Sequence, residues 1–394
     1  MKKSRFVGLL LLAVMILASV SSAAPMTSNP QSMPRAASTG AHGTNEVIEG
    51  ISPVTGLPWN GEYRPLVVQM SNAWQARPHW YLSEADIVYE SILWGPGHTR
   101  YTAIFNDNHP DYVGPLRSAR VNHCEIREEW DAPFVFWGGQ ADPGSSIYDF
   151  FRTNEVPESL RFDGTRGRSY IGPVLFRDST RVSPHNAVGD LSKLVAEYWP
   201  KNEDDSAFKS KMHALKFSDT PSRGPDSAVE IDIVYDEKDY HPSYKFNPET
   251  RVYERWYNGQ EMIDGKTDKK IVASNVIVQY TEMQYINNRA SRPVINMTGS
   301  GYFDAFIDGY HLRGTWERKN IKDRTVFMDG GGEEITLLPG KTFIQVIPNQ
   351  MTYQYTTANG NTVVVDVGYE VKRLEIDTSE NIDDLDKMED TSKQ

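Results

Sequence analysis

The residues whose types and spacing could do chemistry lie between Glu90 and Arg120, in the stretch ESILWGPGHTRYTAIFNDNHPDYVGPLRSAR. Arg100, Arg117 and Arg120 fall there with the hydroxyls of Thr99 and Ser118 and with Gly95, Gly97 and Gly114. A guanidinium is a planar fork of donors that matches carboxylate or phosphate, and loop N–H groups and hydroxyls complete such a cradle. The chain carries a formal net charge of -12, so a local knot of cations calls for a reason. One reason is an anionic ligand held by Thr99, Arg100, Arg117, Ser118 and Arg120. The other is ion pairing with Asp86, Glu90 or Asp107, which only braces loops.

A second polar stretch, YIGPVLFRDSTRVSPHN over residues 170–186, ends in Arg181, Pro184, His185 and Asn186. Imidazole titrates near neutrality, so His185 is the candidate general base and Asn186 a further ligand contact, with Glu90 or Asp86 as the carboxylate that orients the ring. The plainer alternative has His185 and Asn186 capping a helix over residues 187–198. Arg313, Trp316 and Arg318 form a third suggestive group, because a Trp beside cations can stack on a sugar or hold an acid. Its alternative is a core strand residue flanked by solvated charges.

Other chemistries find little support. Cys124 is the single cysteine, so the chain has no internal disulfide and no Cys/His zinc cluster. His123 beside it does not make a nucleophile pair, since neighbours on one element point apart and a lone cysteine packs as a small hydrophobe. Asp383, Asp384 and Asp386 lack the glycine and closing Glu of a calcium loop. There is no nucleophile elbow or metal-ligand helix, and a carboxylate pair drawn from Asp86, Glu90 and Asp142 is not diagnostic in an acidic chain. No metal and no cofactor is called for.

The elements that must position these groups follow in order. Lys2, Lys3 and Arg5 precede an apolar run over residues 6–20 and then small residues, which reads as a signal peptide over 1–23. The mature chain is then secreted or extracytoplasmic, associated with the cell envelope. The apolar run is short for a membrane span and no cysteine follows it, so no stable membrane anchor is expected. Residues 24–46 are a flexible linker by composition. The acidic balance argues against nucleic acid.

Residues 47–200 read as an α+β domain with a mixed sheet and few helices. Strands are expected over 64–70, 85–93, 99–106 and 134–139, with a helix over 118–130 capped by Ser118, whose positive end would lie beside Arg117 and Arg120. The polar loop over 140–149 is of the kind that lines a site. Residues 201–227 are a charged, proline-marked linker. Residues 228–372 read as a mostly antiparallel β-rich domain, with Asn258-Gly259 as a hairpin turn. An acidic disordered tail covers 373–394.

RPLVVQMSNAWQARPHWYLSEADIVYE, HTRYTAIF, GPLRSAR and the R-x-x-P-H-N of residues 181–186 resemble the amino-terminal domain of the YerB-like family of bacterial envelope proteins. YKFNPETRVYERWYNG, NVIVQY, GSGYFDAFIDGYHLRGTWER and LLPGKTFIQVIP resemble its carboxy-terminal domain, in the same order. The resemblance implies an extracytoplasmic protein with an α+β fold and mixed sheets, and it brings no established reaction. Two departures stand out. Trp94-Gly95-Pro96-Gly97-His98 replaces an acidic residue and two glycines common in relatives, and the lipidated cysteine of many relatives is missing.

Three functions of different classes follow. The first is a binding module for an anionic cell-wall ligand, such as a peptidoglycan stem carboxylate or an anionic wall polymer. The second is an envelope hydrolase or transferase with His185 as base. The third is a scaffold for cell-wall synthesis proteins that offers a sheet edge or an aromatic face near Trp316. Whether the protein is an enzyme is left open by the sequence.

Overall fold

The computed structural model describes residues 26–27, 44–94, 98–166, 172–236, 240–286, 293–367 and 373–374. The leader expected over 1–23, most of the 24–46 linker, Gly95, Gly97 and the tail beyond 374 lie outside the described residues. The principal elements in chain order are β1 (Leu66–Ser71), β2 (Ile87–Trp94), β3 (His98–Phe105), α1 (Val121–Trp130), β4 (Phe134–Phe136), α2 (Ile147–Thr153) and β5 (Arg161–Asp163). They continue with α3 (Leu191–Glu197), β6 (Pro242–Asn247), β7 (Val252–Tyr257), β8 (Asn275–Thr281), β9 (Gly299–Ile307), β10 (Tyr310–Arg318), β11 (Val326–Met328) and β12 (Thr342–Pro348).

One large mixed sheet runs in the order β11-β10-β9-β8-β12-β2-β3-β1-β4-β5. β12 is the seam between the two halves of the chain. It lies parallel to β8 on one side and to β2 on the other, with Thr342 opposite Ile87 and Val346 opposite Ser91. Covered on both faces, β1, β8 and β12 are buried at every position, as their near-continuous apolar sequences require. A second, mostly antiparallel sheet contains β6 and β7 with Glu230–Asp232, Tyr353–Thr356 and Thr362–Val365, and packs on one face of the first through Tyr244, Tyr253, Tyr257 and Tyr355. Helices α1 and α2 cover the other face through Cys124, Ile126, Trp130, Ile147 and Phe151. The fold class is therefore α+β, with few helices, a mixed sheet in the amino-terminal half and mostly antiparallel pairing in the carboxy-terminal half.

Several local expectations are corrected. The helix begins at Val121, and Ser118 does not cap it. The preceding segment is drawn into the sheet instead: Arg117 N–H donates to the Gln69 carbonyl at 2.9 Å, Ala119 N–H to Gly138 at 2.9 Å, and Trp137 N–H to Arg117 at 3.1 Å. At the helix start the Arg120 N–H is bonded by His123 Nδ1 at 3.0 Å, which is one half of a capping box. His185 and Asn186 cap no helix either. Ala187–Gly189 pairs with Leu175–Arg177, and α3 is capped by the Asp190 carboxylate, which accepts from Lys193 N–H at 2.9 Å.

Trp316 is a core residue. It lies opposite Gly301, and its indole N–H donates to the Tyr280 carbonyl at 2.7 Å. A Cβ on Gly301 would sit 2.7 Å from that indole nitrogen, so only glycine leaves room for the ring. Trp316 is thus the core strand residue of the plainer alternative and offers no exposed aromatic face to a scaffold. Arg318 is likewise buried, donating to the Glu125 carbonyl at 2.7 Å, and Arg313 pairs with Asp304 at 2.9 Å.

Candidate functional site

Strand register builds the site. Ser91 on β2, Arg100 on β3 and Ser71 on β1 stand side by side across three adjacent strands. By alternation all three point to the helix-covered face, since Val67 and Tyr89 of the same strands pack there. Each serine meets a histidine. Ser71 Oγ lies 3.4 Å from His185 Nδ1, and Ser91 Oγ lies 3.2 Å from His123 Nε2 and accepts from Asn122 Nδ2 at 3.0 Å. Between them the Arg100 guanidinium donates to the Ser118 carbonyl.

The electrostatics are cationic. Burial, then the charges of Arg117, Arg100 and Arg181, push His185 down to about 4. Burial, then Arg100 and Arg120, push His123 well below its ordinary value. Because His123 Nδ1 accepts the Arg120 N–H, its Nε2 carries the proton and donates to Ser91. Both rings are neutral at pH 7 and sit among guanidinium groups, and His123 lies in the first turn of α1, at its positive end. Arg181 is fixed by donation to the Ala76 carbonyl at 2.8 Å and to Pro78, with its guanidinium 4.2 Å over Trp80. Arg120 Nη1 donates to the Ala119 carbonyl at 2.9 Å. Asn186 is buried and receives Arg177 Nη1 at 2.6 Å, and Arg177 in turn lies 4.7 Å over Trp137.

Glu90 and Thr99, expected in the same site, belong to the opposite face. Glu90 is fully buried toward the second sheet, where Oε1 accepts from Thr99 Oγ1 at 2.6 Å, Asn72 Nδ2 at 2.9 Å and Tyr257 OH at 3.2 Å. Its Oε2 pairs with the Arg255 guanidinium and accepts from Gln345 Nε2 at 3.1 Å. Arg255 also donates to the hydroxyls of Tyr244 and Tyr101. Glu90 therefore orients no imidazole. Asp86 does not reach His185 either: it accepts the backbone N–H of Asn106 at 2.6 Å and of Asp107 at 3.0 Å.

Sequence reasoning thus joined two faces that strand alternation separates. The structure brings together Arg100, Arg117, Arg120, His185 and the Ser118 carbonyl. It adds Ser71, Ser91, Asn122 and His123, for which the only sequence signal was their place on two strands and one helix turn. Ser71 and Asn72 connect the two networks, one side chain on each face. His79 Nε2 donates to the Ser71 carbonyl at 2.8 Å, and Arg77 Nη2 to the Asn72 carbonyl at 3.0 Å. Among the described residues no three His, Cys, Asp or Glu side chains gather as metal ligands, and no helix is long and apolar enough to cross a membrane.

Two family profiles match the chain: "Protein of unknown function (DUF3048) N-terminal domain" over residues 54–204, and the corresponding C-terminal domain over residues 231–344. The chain is 27% identical over 305 residues to the Bacillus subtilis (strain 168) protein named "Putative lipoprotein YerB", covering 76% of this chain and 86% of that one. It is also similar to the crystal structure of the YerB protein from Bacillus subtilis, with a TM-score of 0.62 at 25% identity, over 75% of this chain and 96% of that one. With both domains matched in order over more than half its length, the chain belongs to the DUF3048 family, the YerB-like proteins of unknown function.

Proposed function

We propose that this protein is an extracytoplasmic, non-catalytic binding module of the cell envelope, and that Arg100, Arg117, Arg120 and Arg181 hold an anionic group of a wall polymer, such as a peptidoglycan stem carboxylate. The observation that carries this reading is the convergence of Arg100, Arg117 and Arg181 on His185, each near enough to add, after burial, to the lowering of its imidazole to about 4. Such a field attracts an anion, and guanidinium forks suit carboxylate or phosphate. The same field weakens the catalytic alternative. A base with so low a pKa has little driving force for proton abstraction at pH 7, and the carboxylate meant to orient it is committed to Arg255. The scaffold alternative loses the aromatic face around Trp316. The relative's name as a lipoprotein and the leader-like start of this chain support the envelope location.

The test is retention on purified peptidoglycan with wall polymer attached, comparing the mature protein with an Arg117→Ala/Arg181→Ala variant while soluble products are followed by mass spectrometry. Retention lost in the variant, with no fragments released, is expected. Equal retention overturns the proposal, and fragment release that depends on His185 replaces it with the hydrolase reading.

A further inference from the structure

We propose, building on the binding reading above, that Trp74 is a stacking platform for a sugar ring, which makes the ligand of the cation site an acidic glycan, with pyranose and carboxylate on one molecule. Trp74 is 65% exposed, and among the described side chains it is the one tryptophan left exposed. Trp80, Trp130 and Trp316 are buried. A ring of this size is usually packed away, because leaving its faces in water forfeits the gain from burial.

The turn that carries Trp74 is held in place. Ala76 is fully buried, and its N–H donates to the Ala73 carbonyl at 2.9 Å. The Ser71 carbonyl accepts from His79 Nε2 at 2.8 Å, that of Asn72 from Arg77 Nη2 at 3.0 Å, that of Ala76 from Arg181 Nη1 at 2.8 Å, and that of Pro78 from the same guanidinium. A ring displayed on a braced turn binds without the entropy cost of ordering a loop. The turn also starts at the cation site. It leaves β1 at Ser71, whose Oγ is 3.4 Å from His185 Nδ1, and Arg100, Arg117 and Arg181 converge on that imidazole. Trp74 follows Ser71 by three residues, a reach of at most about 11 Å.

The pairing of ring and cations selects the ligand. An indole face carries the negative side of its quadrupole, and the C–H face of a pyranose presents weakly positive hydrogens to it. Guanidinium groups take the carboxylate of the same sugar. A bilayer fits less well, since a chain of net charge -12 is repelled by anionic lipid. A protein partner calls for roughly 800 Å² on each side, far more than one ring supplies.

Isothermal titration of the mature protein, of Trp74→Ala and of Trp74→Tyr tests this with a muramyl disaccharide, a glucuronic acid oligomer, the free stem peptide and neutral chitobiose. An acidic sugar is expected to bind the parent, about three- to tenfold more weakly in Trp74→Ala and with affinity restored in Trp74→Tyr, while the stem peptide is unaffected by either change. Whichever acidic sugar binds names the source of the ligand. Equal affinity of parent and Trp74→Ala for the acidic sugars, or an equal loss for the stem peptide, overturns the platform and leaves the anion site standing. A parent that binds no carboxylate probe overturns the binding reading and the platform together. Trp74-dependent sedimentation with phosphatidylglycerol vesicles, without sugar binding, overturns it in favour of a lipid surface.

Discussion

His185 and Glu90 sit on opposite faces of the sheet, one among cations and one against a single guanidinium. His185 is held neutral by burial first and by neighbouring cations second, so removing one of these cations should release part of the shift. In Arg117→Ala or Arg181→Ala the titration midpoint, read from imidazole NMR shifts, is expected to rise from about 4 toward its ordinary 6.5. A midpoint unchanged in both variants would show that burial alone sets it. Glu90 is paired with the buried guanidinium of Arg255. Arg255→Met strands that carboxylate and is expected to cost about 3–5 kcal/mol in urea unfolding, with most of the loss recovered in Glu90→Gln/Arg255→Met. At this scale the arginines were legible because they are local in sequence. Arg255 was not, since nothing in β7 signals that its charge is aimed at β2, and Glu90 was misplaced because the alternation of β2 turns it away from Ser91 and toward the second sheet.

Among the elements, the start of β2 carries the pH dependence. Burial and Asp107 raise Asp86 to about 7. The folded chain therefore binds this proton more tightly than the unfolded chain, so the contribution is full below about pH 4 and is lost as pH rises to about 7. Buried histidines act with the opposite sign. Burial leads the lowering of His79 to about 3, of His185 to about 4 and of His213 to about 4, so their contribution is present above pH 6.5 and is lost as pH falls from there. The two slopes oppose one another between about pH 4 and 6.5. Asp86→Asn removes one of them, and its unfolding free energy is expected to rise with pH across that window more steeply than that of the parent. Parallel curves would place Asp86 outside the balance. The strands β1 to β3 and the Asn258-Gly259 turn could be read from period and turn residues. The late start of α1 and the strand at Ala187–Gly189 could not, because both depend on backbone partners far along the chain. Gly114 shows the same dependence: a Cβ there would lie 2.8 Å from the Ala187 carbonyl. Gly114→Ala is accordingly expected to lower the thermal midpoint by several degrees.

For the molecule as a whole, the two halves expected from composition share one sheet and the buried ion pairs Arg255–Glu90 and Arg318–Glu129. Equilibrium unfolding is expected to be a single transition, with tryptophan fluorescence and far-ultraviolet circular dichroism coincident. Two separated transitions would mean that the seam at β12 contributes little. The α+β class and the order of the halves were legible because strand-length apolar runs and turn residues are local signals. The continuity of the sheet was not, because nothing in the sequence of β2 or β12 says that each is the other's neighbour.

That pairing also imposes a schedule. Glu90 and Gln345 touch across a sequence separation of 255 residues, so a chain delivered amino-terminus first offers β2 as an open edge until nearly all of it has arrived. Open edges recruit other strands, and long-range parallel pairing is slow. Maturation of this protein is thus governed by its last large strand: chains that end before Thr342 should accumulate as protease-sensitive or aggregated material, and the holding of unfinished chains, rather than the speed of any local step, should set the yield.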